Sequence, residues 1–230
     1  MEKRSKKYYL FEMKMLPLNI VSILLIVFIG IITYLIDSEF FVESFYYVMD
    51  NFVIFFPLMI LYMGLHEVLH SISYCIYGAN FKNIVYGIEL EKGVFYCLCK
   101  QHIKRLNILN SLFFPLFYIG IVTYIIGIIY NMPYLLWLSI FNISGCSGDI
   151  LMFIYMWKLN RDIEFTELDD CISFAIYSEE DVSKINHFGL KYKGTCDSVP
   201  RDDFKKIKIS KFSYLVFLVF LIIILLLIFK

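Results

Sequence analysis

Five apolar stretches, each long enough to cross a lipid bilayer, constrain the fold of this chain more than any other feature. A membrane-spanning helix needs about 20 mostly apolar residues. The predicted spans are 17–36, 53–77, 108–130, 134–157 and 212–230. The whole chain is 60% hydrophobic, whereas soluble domains are about 45–50% apolar. We therefore expect a multi-pass membrane protein whose surface contacts the lipid bilayer.

The segments between these stretches complete the predicted organisation. The predicted parts are a basic N-terminus (1–16), a membrane core (17–158), a cytoplasmic segment (159–211) and a C-terminal transmembrane helix (212–230). Residues 81–100 contain short alternating runs around Gly87 and Gly93, which predicts a β-hairpin. The predicted fold class is an all-α polytopic membrane protein of about five transmembrane helices. The hairpin and a short α+β segment would lie on its cytoplasmic side.

The positions of the charges predict the orientation in the membrane. Lysines and arginines occur before the first span, within 82–105 and within 158–211, but not within 37–51 or 131–133. In a five-span topology these three basic segments all lie on one side. Cytoplasmic loops are enriched in Lys and Arg, so we predict a cytoplasmic N-terminus in a bacterial cell membrane. The basic residues form no continuous stripe, which argues against a nucleic-acid partner.

The second apolar stretch contains a metal-binding pattern, His66-Glu67-Val68-Leu69-His70. Residues four apart lie on one face of a helix, so His66 and His70 can bind the same ion. Glu67 follows the first histidine and can act as a general base, as in the H-E-x-x-H pattern of zinc peptidases. Ionisable side chains are costly inside a membrane and usually functional there. We therefore predict a Zn²⁺ site.

The fourth stretch offers a third ligand, which a catalytic zinc needs. At about 1.5 Å per residue, Asp149 and His66 lie at similar depths, roughly 20 Å from the outer surface. Asn142 lies two turns before Asp149 and is predicted to be catalytic, by orienting substrate or stabilising the oxyanion. Gly145 and Gly148 would permit close helix approach or interrupt the helix. Alternatively, Asp149 caps an interrupted helix or pairs with a buried lysine.

The remaining histidines and a cysteine pair are weaker candidates. His102 and His187 lie in predicted cytoplasmic segments, where we expect solvated or locally bonded side chains. Cys97 and Cys99 would point to one face of a strand, and such a pair can bind a soft metal or form a strained disulfide. The predicted compartment is reducing, which favours free thiols packed under the hairpin.

These motifs resemble the putative zincin peptidase family of membrane proteins, which is related to site-2-protease-type intramembrane zinc metallopeptidases. The resemblance covers roughly residues 50–180. It is based on the segments Gly64-Leu65-His66-Glu67-Val68-Leu69-His70, Tyr86-Gly87-Ile88, Phe95-Tyr96-Cys97-Leu98-Cys99-Lys100 and Ser144-Gly145-Cys146-Ser147-Gly148-Asp149. It implies that His66, His70 and Asp149 bind zinc and that Glu67 is the base. Unlike site-2 proteases, this chain has no proline near Asp149 and no recognisable inserted peptide-binding domain.

The predicted function is that of a zinc metalloendopeptidase acting on a membrane-embedded or juxtamembrane peptide or protein. The 81–100 hairpin would hold the substrate by strand addition. The alternative is a non-proteolytic membrane protein, such as an immunity or regulatory peptide-binding protein, with a structural or vestigial metal site. Two imidazoles and one carboxylate also accept divalent ions other than zinc.

Overall fold

Helices and short strands occur in separate blocks along the chain in a computed structural model that describes residues 6–89, 94–168, 172–184 and 188–198. The helices are α1 (Met15–Ile36), α2 (Ser38–Asp50), α3 (Phe52–Ile76), α4 (Arg105–Pro115), α5 (Thr123–Ile129), α6 (Pro133–Gly145) and α7 (Ser147–Lys158). A π-helical segment (Leu116–Val122) joins α4 to α5. The strands are β1 (Lys7–Met13), β2 (Ile84–Glu89), β3 (Val94–Cys99), β4 (Ile103–Lys104), β5 (Glu164–Glu167), β6 (Ser173–Ser178) and β7 (Leu190–Cys196).

A five-stranded antiparallel sheet shows that the predicted all-α fold class is wrong. Its strand order is β4-β5-β6-β1-β7, and a separate two-stranded sheet pairs β2 with β3. The N-terminal segment, predicted to be only a basic extension, therefore contributes β1, which lies between β6 and β7. This strand escaped prediction because its partners lie at the other end of the chain. Its seven residues have no local partner that would indicate pairing.

Four of the five predicted spans lie within the described residues. In that part of the chain, three helical stretches are long and apolar enough to span a membrane: Met15–Ile36, Phe52–Ile76 and Arg105–Ile129. The pair α6 and α7, bent by 45°, would be a fourth if it forms one span. The predicted span 212–230 lies outside the described residues. Helix α2 occupies the connection after α1, where Asp37 caps it by accepting the Phe40 N–H at 2.9 Å.

The larger sheet packs against the ends of α4 and α7. Buried aromatic and aliphatic side chains form this core, including Phe11, Phe165, Phe174, Ile176, Ile108, Leu112, Tyr155 and Met156. Arg105 closes the junction, since its Nε donates to the Met156 carbonyl at 2.7 Å and its Nη2 to the Trp157 carbonyl at 2.5 Å. A cation is favoured at this C-terminal end of α7. The sheet is thereby joined to the helices that surround the site described next.

The chain enters and leaves the sheets in a way that places the polar segments at one end of the helices. It passes from β1 into α1 and from β4 into α4, whereas α3 leads toward β2 and α7 leads toward β5. Helices α1 and α4 therefore start at the sheets, and α3 and α7 end there. The basic segments that the charge pattern assigns to one side of the membrane are thus brought together. The orientation itself stays a prediction.

Candidate metal centre

Helix α3 brings the two histidines of the H-E-x-x-H pattern together. It is continuous over 25 residues, so His66 and His70 lie one turn apart on one side. Their Nε2 atoms are 3.0 Å apart and their ring centroids 4.8 Å apart. His70 is buried, and His66 is only 12% exposed at its side chain. The local helix period alone therefore explains how this pair is formed.

The break between α6 and α7 brings a carboxylate to the histidines. Helix α6 ends at Gly145, and Asp149 lies in the first turn of α7, where a negative charge is favoured by the helix dipole. The Asp149 Oδ2 is 3.2 Å from His66 Nε2 and 3.5 Å from His70 Nε2. The structure therefore brings together all three of the predicted metal ligands. Among the described residues, they are the only group of three or more His, Cys, Asp or Glu side chains that lie close enough together to hold a metal ion.

The separations of these three donor atoms fit a tetrahedral ion. Zinc–ligand bonds of about 2.0–2.1 Å place tetrahedral ligands about 3.3–3.4 Å apart. The observed separations of 3.0, 3.2 and 3.5 Å lie around that value. Two imidazoles and one carboxylate are also a ligand set that zinc uses at catalytic sites, where a fourth position is left open. The residues present therefore fit zinc.

The outer nitrogens of both rings are held by hydrogen-bond acceptors. His66 Nδ1 lies 2.9 Å from the Asn142 Oδ1, and His70 Nδ1 lies 3.0 Å from the Ser111 carbonyl oxygen. A carbonyl oxygen can only accept, so each Nδ1 carries its hydrogen, and each ring in its neutral form presents the Nε2 lone pair. Two such lone pairs and a carboxylate oxygen at this short range repel one another unless a proton or a metal ion lies among them. This arrangement is the strongest indication of a metal site.

Asn142, predicted to orient substrate or stabilise the oxyanion, lines the cavity and also lies behind the ligand His66. Its amide oxygen contacts His66 on the side away from Asp149, and its nitrogen lies 3.9 Å from the Cys146 sulfur. Gly120 lies against it, where a Cβ atom would be 3.4 Å from the Asn142 nitrogen. These contacts are those of a positioning residue. A direct catalytic role for Asn142 stays a prediction.

Glu67 lies in the same cavity as the three ligands. This cavity has a volume of about 450 Å³, and α3, β3, α6 and α7 all contribute to its walls. The Glu67 carboxylate faces the backbone N–H of Cys97 in β3. The side chain therefore lies at the inner edge of the hairpin. A carboxylate held beside the three metal ligands can receive and return a proton.

Glu167, in β5, is a further residue of this cavity that sequence reasoning missed. Its Oε2 accepts the Cys99 N–H at 2.5 Å, and its Oε1 accepts the Tyr74 hydroxyl at 3.3 Å. Burial raises the pKa of this carboxyl to about 7. No local signal distinguishes it, because it is one acidic residue among several in a charged segment. Only the contact of β5 with β3 brings it to the site.

The weaker candidates lie away from the metal ligands or are not suited to bind metal. Cys97 and Cys99 are buried free thiols. Burial raises the pKa of both, that of Cys99 to about 11, so both stay protonated at neutral pH. His102 is bonded to Glu164 at the surface, at 2.9 Å. His187 lies outside the described residues.

The site contains two histidines one turn apart on one helix, with a glutamate beside them. This arrangement is typical of zinc peptidases. The model of the putative zincin peptidase family matches residues 59–163, which confirms the predicted resemblance over that segment. The segment includes His66, Glu67, His70 and Asp149 but ends before Glu167. The match supports a metallopeptidase. No curated protein and no solved structure matches the chain.

Proposed function

We propose that this protein is an intramembrane zinc metalloendopeptidase that cleaves membrane-embedded or juxtamembrane peptides. The principal support is the convergence of His66 Nε2, His70 Nε2 and Asp149 Oδ2 within one cavity beside Glu67. The match to a peptidase family supports the hydrolytic part of the proposal. A relation to site-2 proteases is part of the same proposal.

Each residue has a distinct role in the proposed reaction. When bound, zinc would lower the pKa of a coordinated water and polarise the substrate carbonyl. Glu67 would take a proton from that water and pass it to the leaving amine. Its position facing the Cys97 N–H would keep the carboxylate directed into the cavity. Asn142 and the Ser111 carbonyl would hold each imidazole in the tautomer that leaves Nε2 free.

The edge of β3 offers a place for the peptide. In an antiparallel pair, alternate N–H groups point away from the partner strand. The Cys99 N–H donates to the Glu167 carboxylate rather than to β2, and the Cys97 N–H faces the Glu67 carboxylate, so this edge of β3 faces the cavity. An extended peptide would run beside this edge, next to the catalytic base, without displacing the two carboxylates from these N–H groups. A substrate helix must therefore unwind locally before it is cleaved.

The outward surface of the helices supports the membrane location. Leu24, Phe28 and Leu35 of α1 are 61%, 61% and 77% exposed. Soluble monomers rarely expose continuous apolar surface of this kind. Burial of such a surface in lipid would remove it from water. Because the metal ligands lie near the end of α3 that leads to the sheets, the cleaved bond would lie near the predicted cytoplasmic boundary.

The substitution Glu67→Gln tests the proposal. It preserves size and removes the base, so we expect cleavage to fall by roughly 10²- to 10⁴-fold. Bound zinc should remain at about one ion per chain, because the three ligands are intact. The assay would use the full chain in vesicles with synthetic peptides that join an apolar segment to a polar flank, with products identified by mass spectrometry.

A matched control lies in β5 outside the cavity. Glu164→Gln makes the same chemical change at a residue bonded to His102, and its cleavage rate should equal that of the wild type. Full activity of Glu67→Gln would refute the proteolytic mechanism and leave the non-proteolytic, peptide-binding alternative.

A further inference from the structure

We infer that Glu167 selects substrates that carry a positive charge, an ammonium or guanidinium group, close to the bond that is cleaved. This inference deepens the proposed peptidase function and rests on it. It assigns a chemical class to the substrate and a specificity-determining role to a residue outside the family match.

The charge balance of the cavity is the first argument. Glu67, Asp149 and Glu167 all line it, and none of the described residues that line it is Lys or Arg. The two histidines present Nε2 lone pairs to the ion and are therefore neutral when it is bound. When all three carboxyl groups are ionised, the cavity with one divalent ion has a net charge of −1, and a substrate cation would favour this ionised state of Glu167. A cavity with excess negative charge favours a positively charged ligand.

The partners of Glu167 are the second argument. Both are neutral donors, the Cys99 N–H and the Tyr74 hydroxyl. They orient the carboxylate but do not cancel its charge. A carboxylate has about four acceptor positions, so acceptor capacity remains for a substrate. Burial raises the pKa of this carboxyl to about 7, and a substrate cation would offset that cost of burying its charge.

The spacing along β3 indicates where the cation would lie. Glu167 accepts the N–H of Cys99, and Glu67 faces the N–H of Cys97, two residues earlier on the same strand. Two residues of an extended strand span about 7 Å. A cation at Glu167 therefore lies within one or two residues of the bond that Glu67 serves. A lysine or arginine side chain and a free N-terminal ammonium share this chemistry.

The rest of the cavity is suited to apolar residues. Flexible methionine side chains line it, including Met13, Met15, Met59, Met63 and Met152. Methionine adapts to apolar groups of different shape. The inferred substrate thus combines an apolar segment with an adjacent cation. The cytoplasmic ends of membrane helices have this composition, since Lys and Arg are enriched there.

Paired synthetic peptides provide the test. Each pair contains an apolar segment with one lysine at a scanned position, or norleucine in its place, and each peptide is made with a free or an acetylated N-terminus. With zinc-loaded full-length protein, we expect the cationic peptide to have a kcat/KM on the order of tenfold higher. A preference for lysine that survives acetylation identifies the side chain. A preference that acetylation removes identifies the terminal ammonium.

Variants connect the preference to Glu167. Glu167→Gln preserves size and one acceptor oxygen but removes the charge, so the preference should fall to within about twofold. Glu164→Gln, on the same strand but outside the cavity, should retain the wild-type preference. Should Glu167→Gln fail to fold, the zinc-loaded Glu67→Gln protein is used instead, because it binds peptides without cleaving them. Its affinities for the lysine and norleucine peptides are then compared.

The outcomes separate this inference from the proposed function. Equal cleavage of charged and uncharged peptides by the wild type overturns the inference while the peptidase assignment stands. An unchanged lysine preference in Glu167→Gln also overturns it. If zinc-loaded wild type cleaves no peptide of either kind, the proposed function fails and the inference fails with it.

Discussion

Helix α3 and the broken pair α6 and α7 meet at the same cavity but supply their metal-binding groups in different ways. Helix α3 continues for 25 residues, even past Pro57, and its period alone places His66 beside His70. The other pair is interrupted at Cys146 and bends by 45° before it presents Asp149. A regular helix can thus supply two ligands by spacing, whereas the third ligand depends on how two separate helices pack.

The largest expected effect is the loss of zinc affinity when a metal ligand is removed from either helix. His70→Ala and Asp149→Asn should each weaken zinc binding by more than the roughly 10- to 100-fold seen for outer contacts. Both remove a donor that the ion would contact directly. Zinc content and competition with a chelator measure the change. If Asp149→Asn binds zinc like the wild type, Asp149 only caps α7 and the two helices do not share a site.

A smaller effect is expected where α6 supports α3 without binding the ion. Asn142→Ala removes the acceptor that fixes the His66 tautomer, so zinc affinity should fall by roughly 10- to 100-fold. Asn142→Asp retains an acceptor oxygen and should restore most of that affinity. Asn160→Ala, at an exposed position, is the matched control. If Asn142→Ala lowers thermal stability but leaves zinc affinity unchanged, its role is structural only.

The sheet side of the cavity is tested by the pH dependence of stability. The pKa of Glu167 rises from 4.5 to about 7 because of burial, so the folded state binds the proton more tightly than the unfolded state does. The stability of the zinc-free protein should therefore decrease as pH rises from about 4.5 to about 7. Glu167→Gln should lack this decrease.

Thermal unfolding of both zinc-free proteins at pH 5 and pH 7.5 measures this difference. We expect the midpoint of Glu167→Gln to exceed that of the wild type by about 2–4 °C at the higher pH. The same pH dependence in both proteins would show that Glu167 is not the group responsible.

The smallest effect is expected at the helix break itself. A Cβ atom at Gly145 would meet no atom within 4 Å, so Gly145→Ala should change the free energy of unfolding by about 1 kcal/mol or less. Zinc affinity should be unchanged, because the packing of α7 rather than the glycine maintains the bend. If Gly145→Ala releases zinc, the break depends on the glycine.

Gly127→Ala is the contrasting substitution in the neighbouring helical hairpin. Its Cβ atom would lie 2.9 Å from the Leu136 backbone nitrogen. Backbone atoms cannot move aside as a side chain can, so a loss of about 1–3 kcal/mol in stability is expected. Equal tolerance at both glycines would show that the helices are packed less tightly than described.

The predicted site was closer to the structure than the predicted fold. The structure brings His66, His70 and Asp149 together as predicted. The helix period predicts that the two histidines are neighbours, and the similar depth of Asp149 in its own apolar stretch predicts that it lies at their level. The fold class was wrong because β1 pairs with β6 and β7, so that Phe11 lies opposite Phe174 and Tyr192. Such pairing is non-local, and a short strand has no period that reveals its partner.

The sequence by itself determined the apolar stretches and the spacing of His66, Glu67 and His70, because both depend on neighbouring residues along one helix. The tertiary structure decided the bend before Asp149, the contact of Asn142 with His66 and the arrival of Glu167 at the cavity. These features join segments that are distant in the chain. Their positions depend on packing and strand pairing, which no local pattern specifies.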